Sequence, residues 1–117
     1  MHIFPAIDLY DGKAVRLLKG DYRKMTVYSD NPLEIAKDFE KAGAAFLHVV
    51  DLEGAKTGET PNIGTIENIV QNTALFTEVG GGIRTLETVE TYIKAGVGRV
   101  ILGTAAVKDE EFLQSAV

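Results

Sequence analysis

The sequence predicts an α/β fold of the (β/α)8 TIM-barrel family, here four βα units forming an N-terminal (β/α)4 half barrel. Three observations predict it. Short, almost unbroken apolar runs alternate with segments of helical periodicity, as in a parallel sheet buried behind helices. The first two runs end in acids, Asp8 and Asp51, and the next two in glycine turns, Gly80-Gly81-Gly82 and Gly103-Thr104. Barrel enzymes carry their chemistry at such C-terminal strand ends. The length is 117 residues, whereas a complete barrel takes roughly 250. An open doubly wound sheet shares the alternation but carries its glycine-rich turn after the first strand, where this chain has Asp8.

In chain order, Ile3-Phe4-Pro5-Ala6-Ile7 is the first strand, with Asp8 at its tip. The polar stretch that follows reads as a long functional loop with a short β-excursion through Ala14 to Leu18. Asn31-Pro32-Leu33-Glu34 starts a helix: Asn31 caps, Pro32 fits the first position and Glu34 stands at capping-box spacing. Ile35, Ala36, Phe39 and Ala42 form its apolar stripe, and Gly43 stops it. Phe46 to Val50 is the second strand and Thr65 to Val70 the second helix. Leu75 to Val79 is the third strand, after which Thr85 caps a helix with Leu86, Val89 and Ile93 on one face and Gly96 at its end. Arg99 to Leu102 is the fourth strand, and Asp109 to Val117 begins the fourth helix. No linker interrupts the pattern, so residues 1–117 read as one half-barrel domain with the C-terminal half absent.

Composition narrows the partners. A net charge of -5 disfavours nucleic acid and anionic membranes while leaving room for a local phosphate pocket. There is no cysteine, hence no disulfide or thiolate metal site, and no apolar run of membrane-spanning length. The reading is a cytoplasmic protein acting on a small molecule, without nucleic acid, membrane, metal or cofactor. A half barrel leaves unpaired edges at its first and fourth strands and an inward face of Ile3, Ile7, Val49 and Ile101, so it pairs with a complementary half or self-associates.

Asp8 is the candidate general acid or base, since a partly dehydrated carboxylate titrates closer to neutrality; capping a loop or helix is the alternative. Gly81 and Gly82, with Gly103 and Thr104 one strand later, lead from strands into helix N-termini. Their amides can approach an oxyanion without Cβ interference, or the glycines serve turn geometry alone. Asp51 is either a second carboxylate at the same mouth or a hydrogen-bonding scaffold, and His48 reads as a satisfied interlayer histidine. Arg16, Lys19, Arg23 and Lys24 form either an anion clamp or a solvated surface, and Arg84 pairs with Glu78 or Glu87 or supports phosphate.

These stretches converge on a family. Pro5-Ala6-Ile7-Asp8-Leu9, Val15-Arg16-Leu17, Gly20-Asp21-Tyr22, Leu47 to Ala55, Val79-Gly80-Gly81-Gly82-Ile83-Arg84 and Val100 to Val107 resemble, in order and along the whole chain, the phosphoribosylformimino aminoimidazole carboxamide ribotide isomerases of histidine biosynthesis. The homologous cyclase subunit of imidazole glycerol phosphate synthase is similar, but its first strand reads Pro-Cys-Leu-Asp. The resemblance implies an Amadori aldose–ketose rearrangement of a bis-phosphorylated ribotide, with Asp8 as proton acceptor and one phosphate in the glycine cradle; the residues expected to bind substrate or phosphate are Gly81, Gly82, Gly103, Thr104, Arg16, Asp51 and His48. It further implies that the partner acid and the second phosphate site lie in the other half, leaving the isolated chain inactive. A non-catalytic phosphate-binding half barrel is the alternative.

Overall fold

In the computed structural model the described residues are 5–18, 21–57, 59–83 and 85–102. The first strand, β1 (Ala6–Tyr10), runs past Asp8, which is therefore a mid-strand residue and not a tip. The reason is a hairpin. Asp11 and Gly12 have φ of 53° and 71°, the positive values a tight two-residue turn demands, and they fold β2 (Lys13–Leu18) back onto β1. Asp8 stands opposite Val15 and Tyr10 opposite Lys13. A third strand, β3 (Asp21–Ser29), pairs antiparallel with β2. The stretch expected to be a functional loop with a β-excursion through Ala14 to Leu18 is thus mostly regular sheet: the excursion is β2, and β3 extends the sheet beyond it.

The helices α1 (Pro32–Lys41), α3 (Ile63–Asn72) and α4 (Leu86–Lys94) fall close to where the periodicity puts them, with one extra short helix, α2 (Leu52–Thr57), directly after β4 (Phe46–Asp51). Thr85 caps α4 as expected, its hydroxyl accepting from the Thr88 amide at 3.2 Å. Asn31 does not cap α1 through its side chain. Its backbone carbonyl accepts from the Glu34 amide instead, at 3.1 Å. Gly43 and Gly96, with φ of 103° and 99°, close α1 and α4 in the left-handed conformation that glycine adopts without strain.

With β5 (Phe76–Gly80) and β6 (Arg99–Val100), the strands form one sheet in the order β3-β2-β1-β4-β5-β6, of which β1, β4, β5 and β6 are mutually parallel. The core lies on one face of it. Ile7, Leu9, Leu47, Val49 and Val79 point to that face and pack with Ala36 of α1, Ile66 and Ile69 of α3, and Val89 and Tyr92 of α4. Each of the Ile, Leu and Val side chains contributes about 1.5–3 kcal/mol relative to exposure. On α4 the buried pair is Val89 and Tyr92, while Leu86 and Ile93, expected on the apolar face, are exposed. Ile7 and Val49, expected to face inward, are likewise wholly buried under the helices, because strand alternation gives the opposite face to Ala6, Asp8, Phe46, His48, Val50, Phe76 and Glu78. Among the described residues no helix core packs on that second face, where Phe46, Phe76 and Ile101 are exposed. Ile3, Gly103, Thr104 and the expected fourth helix lie outside the described residues.

Candidate functional site

Asp8 stands on the open face of the parallel sheet, half-buried, with Val50 of β4 on one side and Val15 of β2 on the other. Burial pushes its carboxyl above the ordinary range, and the neighbouring His48 charge opposes that rise. The hairpin brings tyrosines to it. Tyr22 and Tyr28 of β3 are both raised by burial and further by the Asp8 charge. The Tyr22 ring stands edge-on to Tyr10, 6.4 Å between centroids, and its hydroxyl donates to the Leu52 carbonyl at 2.8 Å. Arg16 is exposed on β2 with its guanidinium 5.6 Å from the Tyr28 ring centroid, and its charge lowers Tyr28 where that of Asp8 raises it. Arg16 and Asp8 therefore share one neighbourhood.

The other expected cations behave differently. Arg23 is held by Asp21, which it meets through Nε at 3.2 Å, and Lys24 is exposed on β3; Lys19 and Arg84 lie outside the described residues.

His48 is satisfied, as the reading of it as an interlayer residue expects. Its Nδ1 lies 2.8 Å from Glu78 Oε1, and Glu78 Oε2 in turn accepts from Arg99, at 2.8 Å from Nε and 2.6 Å from the terminal nitrogen. The register explains the alignment: His48 stands opposite Glu78 and Glu78 opposite Arg99 across β4, β5 and β6. On β1, next to β4, Ala6 stands opposite His48, which places Asp8 one pleat further along the same face. Burial pushes the Glu78 carboxyl up, but the hydrogen bonds and charges of Arg99 and His48 outweigh it and hold Glu78 below the usual carboxylate range. Glu78 and Arg99 were not singled out from sequence as a pair, although a charged residue at a buried strand position was the available signal.

Asp51 is turned the other way. It is completely buried on the helix side, where Oδ1 accepts from the Gly54 amide and Asn62 Nδ2, both at 2.8 Å, and Oδ2 from the Asn62 amide at 3.1 Å. Of its two readings, the geometry is that of the scaffold. Asn62 extends that scaffold to the hairpin, its Oδ1 accepting from the Gly12 amide at 2.8 Å and its Nδ2 reaching Glu53 at 3.2 Å.

Gly81 and Gly82 lie against this scaffold with φ of 113° and 75°. A Cβ on Gly81 would stand 2.4 Å from the Asp51 carbonyl oxygen, and one on Gly82 only 1.8 Å from that of Gly54. Glycine is therefore compulsory here for packing between neighbouring βα turns, whatever else the turn binds. Among the described residues no group of three or more His, Asp or Glu side chains forms a metal-binding cluster.

A parallel-rich sheet with helices over one face, an acid on the other and a glycine turn ahead of the last described helix defines an α/β protein. Residues 2–117 match the family described as histidine biosynthesis protein, and the chain belongs to that family. It is 56% identical over 117 residues to a protein of Oceanobacillus iheyensis, 58% over 115 to one of Lactococcus lactis subsp. cremoris and 54% over 114 to one of Campylobacter fetus subsp. fetus. Each of the three is named a 1-(5-phosphoribosyl)-5-((5-phosphoribosylamino)methylideneamino) imidazole-4-carboxamide isomerase. These alignments cover 100%, 97% and 97% of this chain but 49%, 47% and 48% of the relatives, so the chain spans about half their length.

Proposed function

We propose that the chain is one (β/α)4 half of a (β/α)8 barrel catalysing the aldose–ketose rearrangement of a bis-phosphorylated imidazole carboxamide ribotide, with Asp8 as the proton acceptor. The observation that carries this is the environment of Asp8: a half-buried carboxyl, raised by burial, on the open face of a parallel sheet next to a histidine. In the proposed rearrangement, the ribosyl ring of the aminoaldose opens to an imine protonated on nitrogen. Loss of the C2 proton to a carboxylate leaves an enaminol, which takes a proton at C1, gives up its C2 hydroxyl proton and becomes the aminoketose. A base for C2 must hold the proton transiently, and a raised carboxyl meets that need. The acid that serves ring opening belongs to the complementary half. Arg16 and the Gly81-Gly82 turn ahead of α4 hold substrate phosphate, by charge and by backbone amides respectively.

The test combines the chain with the complementary half of one of its relatives. Asp8→Asn keeps shape and removes the base, so turnover should fall by about 10² to 10⁴-fold with substrate binding largely kept. Near-normal turnover removes Asp8 from the mechanism. Inorganic phosphate titrated into the isotope-labelled chain should move the Gly81 and Gly82 amide resonances saturably; unmoved resonances would take the phosphate away from this turn.

A further inference from the structure

Across four adjacent parallel strands the open face carries Asp8, His48, Glu78 and Arg99, one on each of β1, β4, β5 and β6. The last three are joined by hydrogen bonds of 2.8 Å or less. An ionised carboxylate only accepts, so the His48 Nδ1 that meets Glu78 Oε1 must be the proton-bearing nitrogen. The two ring nitrogens of an imidazole point in different directions, which directs Nε2 away from Glu78. The ring edge between them lies against Gly80, where a Cβ would stand 3.9 Å from Cε1.

We propose that Glu78 is a positioning residue for the site at Asp8: clamped by Arg99, it fixes His48 as the Nδ1–H tautomer and leaves Nε2 as a free acceptor, the second polar contact for a substrate whose C2 lies over Asp8. The proposal rests on the reading of Asp8 as proton acceptor. Arg99 has a specific part in it. Its guanidinium takes up Oε2, so Glu78 keeps a single oxygen for His48, and its contact with the Phe76 ring, 5.7 Å from the centroid, holds the arginine in place. The arrangement also ties the Asp8 face to a group two strands away, since Glu78 decides how the His48 ring is set.

The tautomer can be read without any turnover, in the chain as it stands. Two-bond proton–nitrogen spectra of the ¹⁵N-labelled chain, taken in alkaline buffer with His2→Gln to leave one imidazole, should show the His48 proton on Nδ1. Glu78→Gln should convert that pattern to a mixture, because a carboxamide can donate to the ring as well as accept from it. Arg99→Lys, which keeps the charge, should retain the parent pattern. Arg99→Gln, which leaves the carboxylate intact, serves if Glu78→Gln does not fold, and should blur the pattern partly. A proton on Nε2 in the parent chain, or a pattern indifferent to Glu78→Gln and Arg99→Gln, overturns the proposal. If the tautomer is as stated while Asp8→Asn still turns over normally with the complementary half, the setting of His48 stands and the assignment of Asp8 fails.

Discussion

At the scale of single residues, Asp8 and Glu78 share one sheet face and titrate in opposite directions. A carboxyl raised in the folded state binds protons more readily folded than unfolded. Asp8 thus favours the fold in acid, and that contribution is lost as pH rises through the carboxylate range. Glu78, held down by Arg99 and His48, contributes stability that is present above that range and lost as pH falls. Asp8→Asn removes the destabilising ionisation, so the variant should be more stable than the parent in urea near neutrality, with the advantage shrinking in mild acid. A variant less stable than the parent at neutral pH would contradict the burial argument. The same residue shows what sequence can and cannot supply. That Asp8 follows apolar residues is legible; that a hairpin prolongs the strand beyond it, and that His48 opposes its rise, depends on contacts 40 residues apart in the chain and on strand register. Gly81 and Gly82 are similar. The turn is legible, but the approach of Gly54 that forbids a side chain on Gly82 arises only once two βα turns are side by side.

At the scale of elements, the parallel strands and three longer helices follow from apolar runs, caps and glycine stops that lie within one segment. β3 did not emerge because its residues are polar and exposed on much of their length, whereas β2 coincides with the β-excursion expected through Ala14 to Leu18 and Asp11-Gly12 forms the β1–β2 turn. Several contacts attach the turn and β3: the Tyr22 hydroxyl donates to the Leu52 carbonyl, the Asp11 amide to Glu53 and the Gly12 amide to Asn62. Asn62 ties the Gly12 amide, Glu53 and the buried Asp51 together at the foot of α3, satisfying groups from three segments. Asn62→Ala leaves Asp51 without its side-chain donor and the turn without its acceptor. Loss of a partner for a buried polar group costs about 1–3 kcal/mol, and the change should lower stability in denaturant by that order. Hydrogen exchange should rise at Asp11 and Gly12 in particular. Unchanged stability and exchange would show that other groups carry the attachment.

At the scale of the whole molecule, the sheet has one face under helices and one without, and β3 and β6 are its edges among the described residues. Sequence alternation predicts an apolar open face but assigns it the wrong parity at Ile7 and Val49. The residues that stand there are Phe46, Phe76 and Ile101, exposed by 40%, 41% and 41%, and the first two meet edge-on with centroids 5.8 Å apart. Charge divides the face, for His48, Glu78 and Arg99 run across it beside this apolar patch. Because they already neutralise one another, a partner surface need not supply counter-charges, only cover the aromatic pair. We predict that the 117-residue chain self-associates through this face. Covering a large apolar side chain completely is worth about 1.5–3 kcal/mol, and these three are already more than half covered, so the gain per copy is modest. The association should therefore be reversible and in the micromolar range, where about 8 kcal/mol separates bound from free. Sedimentation velocity across that range should show a concentration-dependent dimer, and Phe46→Ser with Phe76→Ser should shift it to monomer without loss of the helical signal. Adding the complementary half of a relative should compete with the dimer, since both would cover the same strands. A parent chain that stays monomeric throughout would overturn the self-association, and a dimer indifferent to the paired substitution would move the contact off this face, to the edge at β3, where Val27 and Tyr28 are exposed.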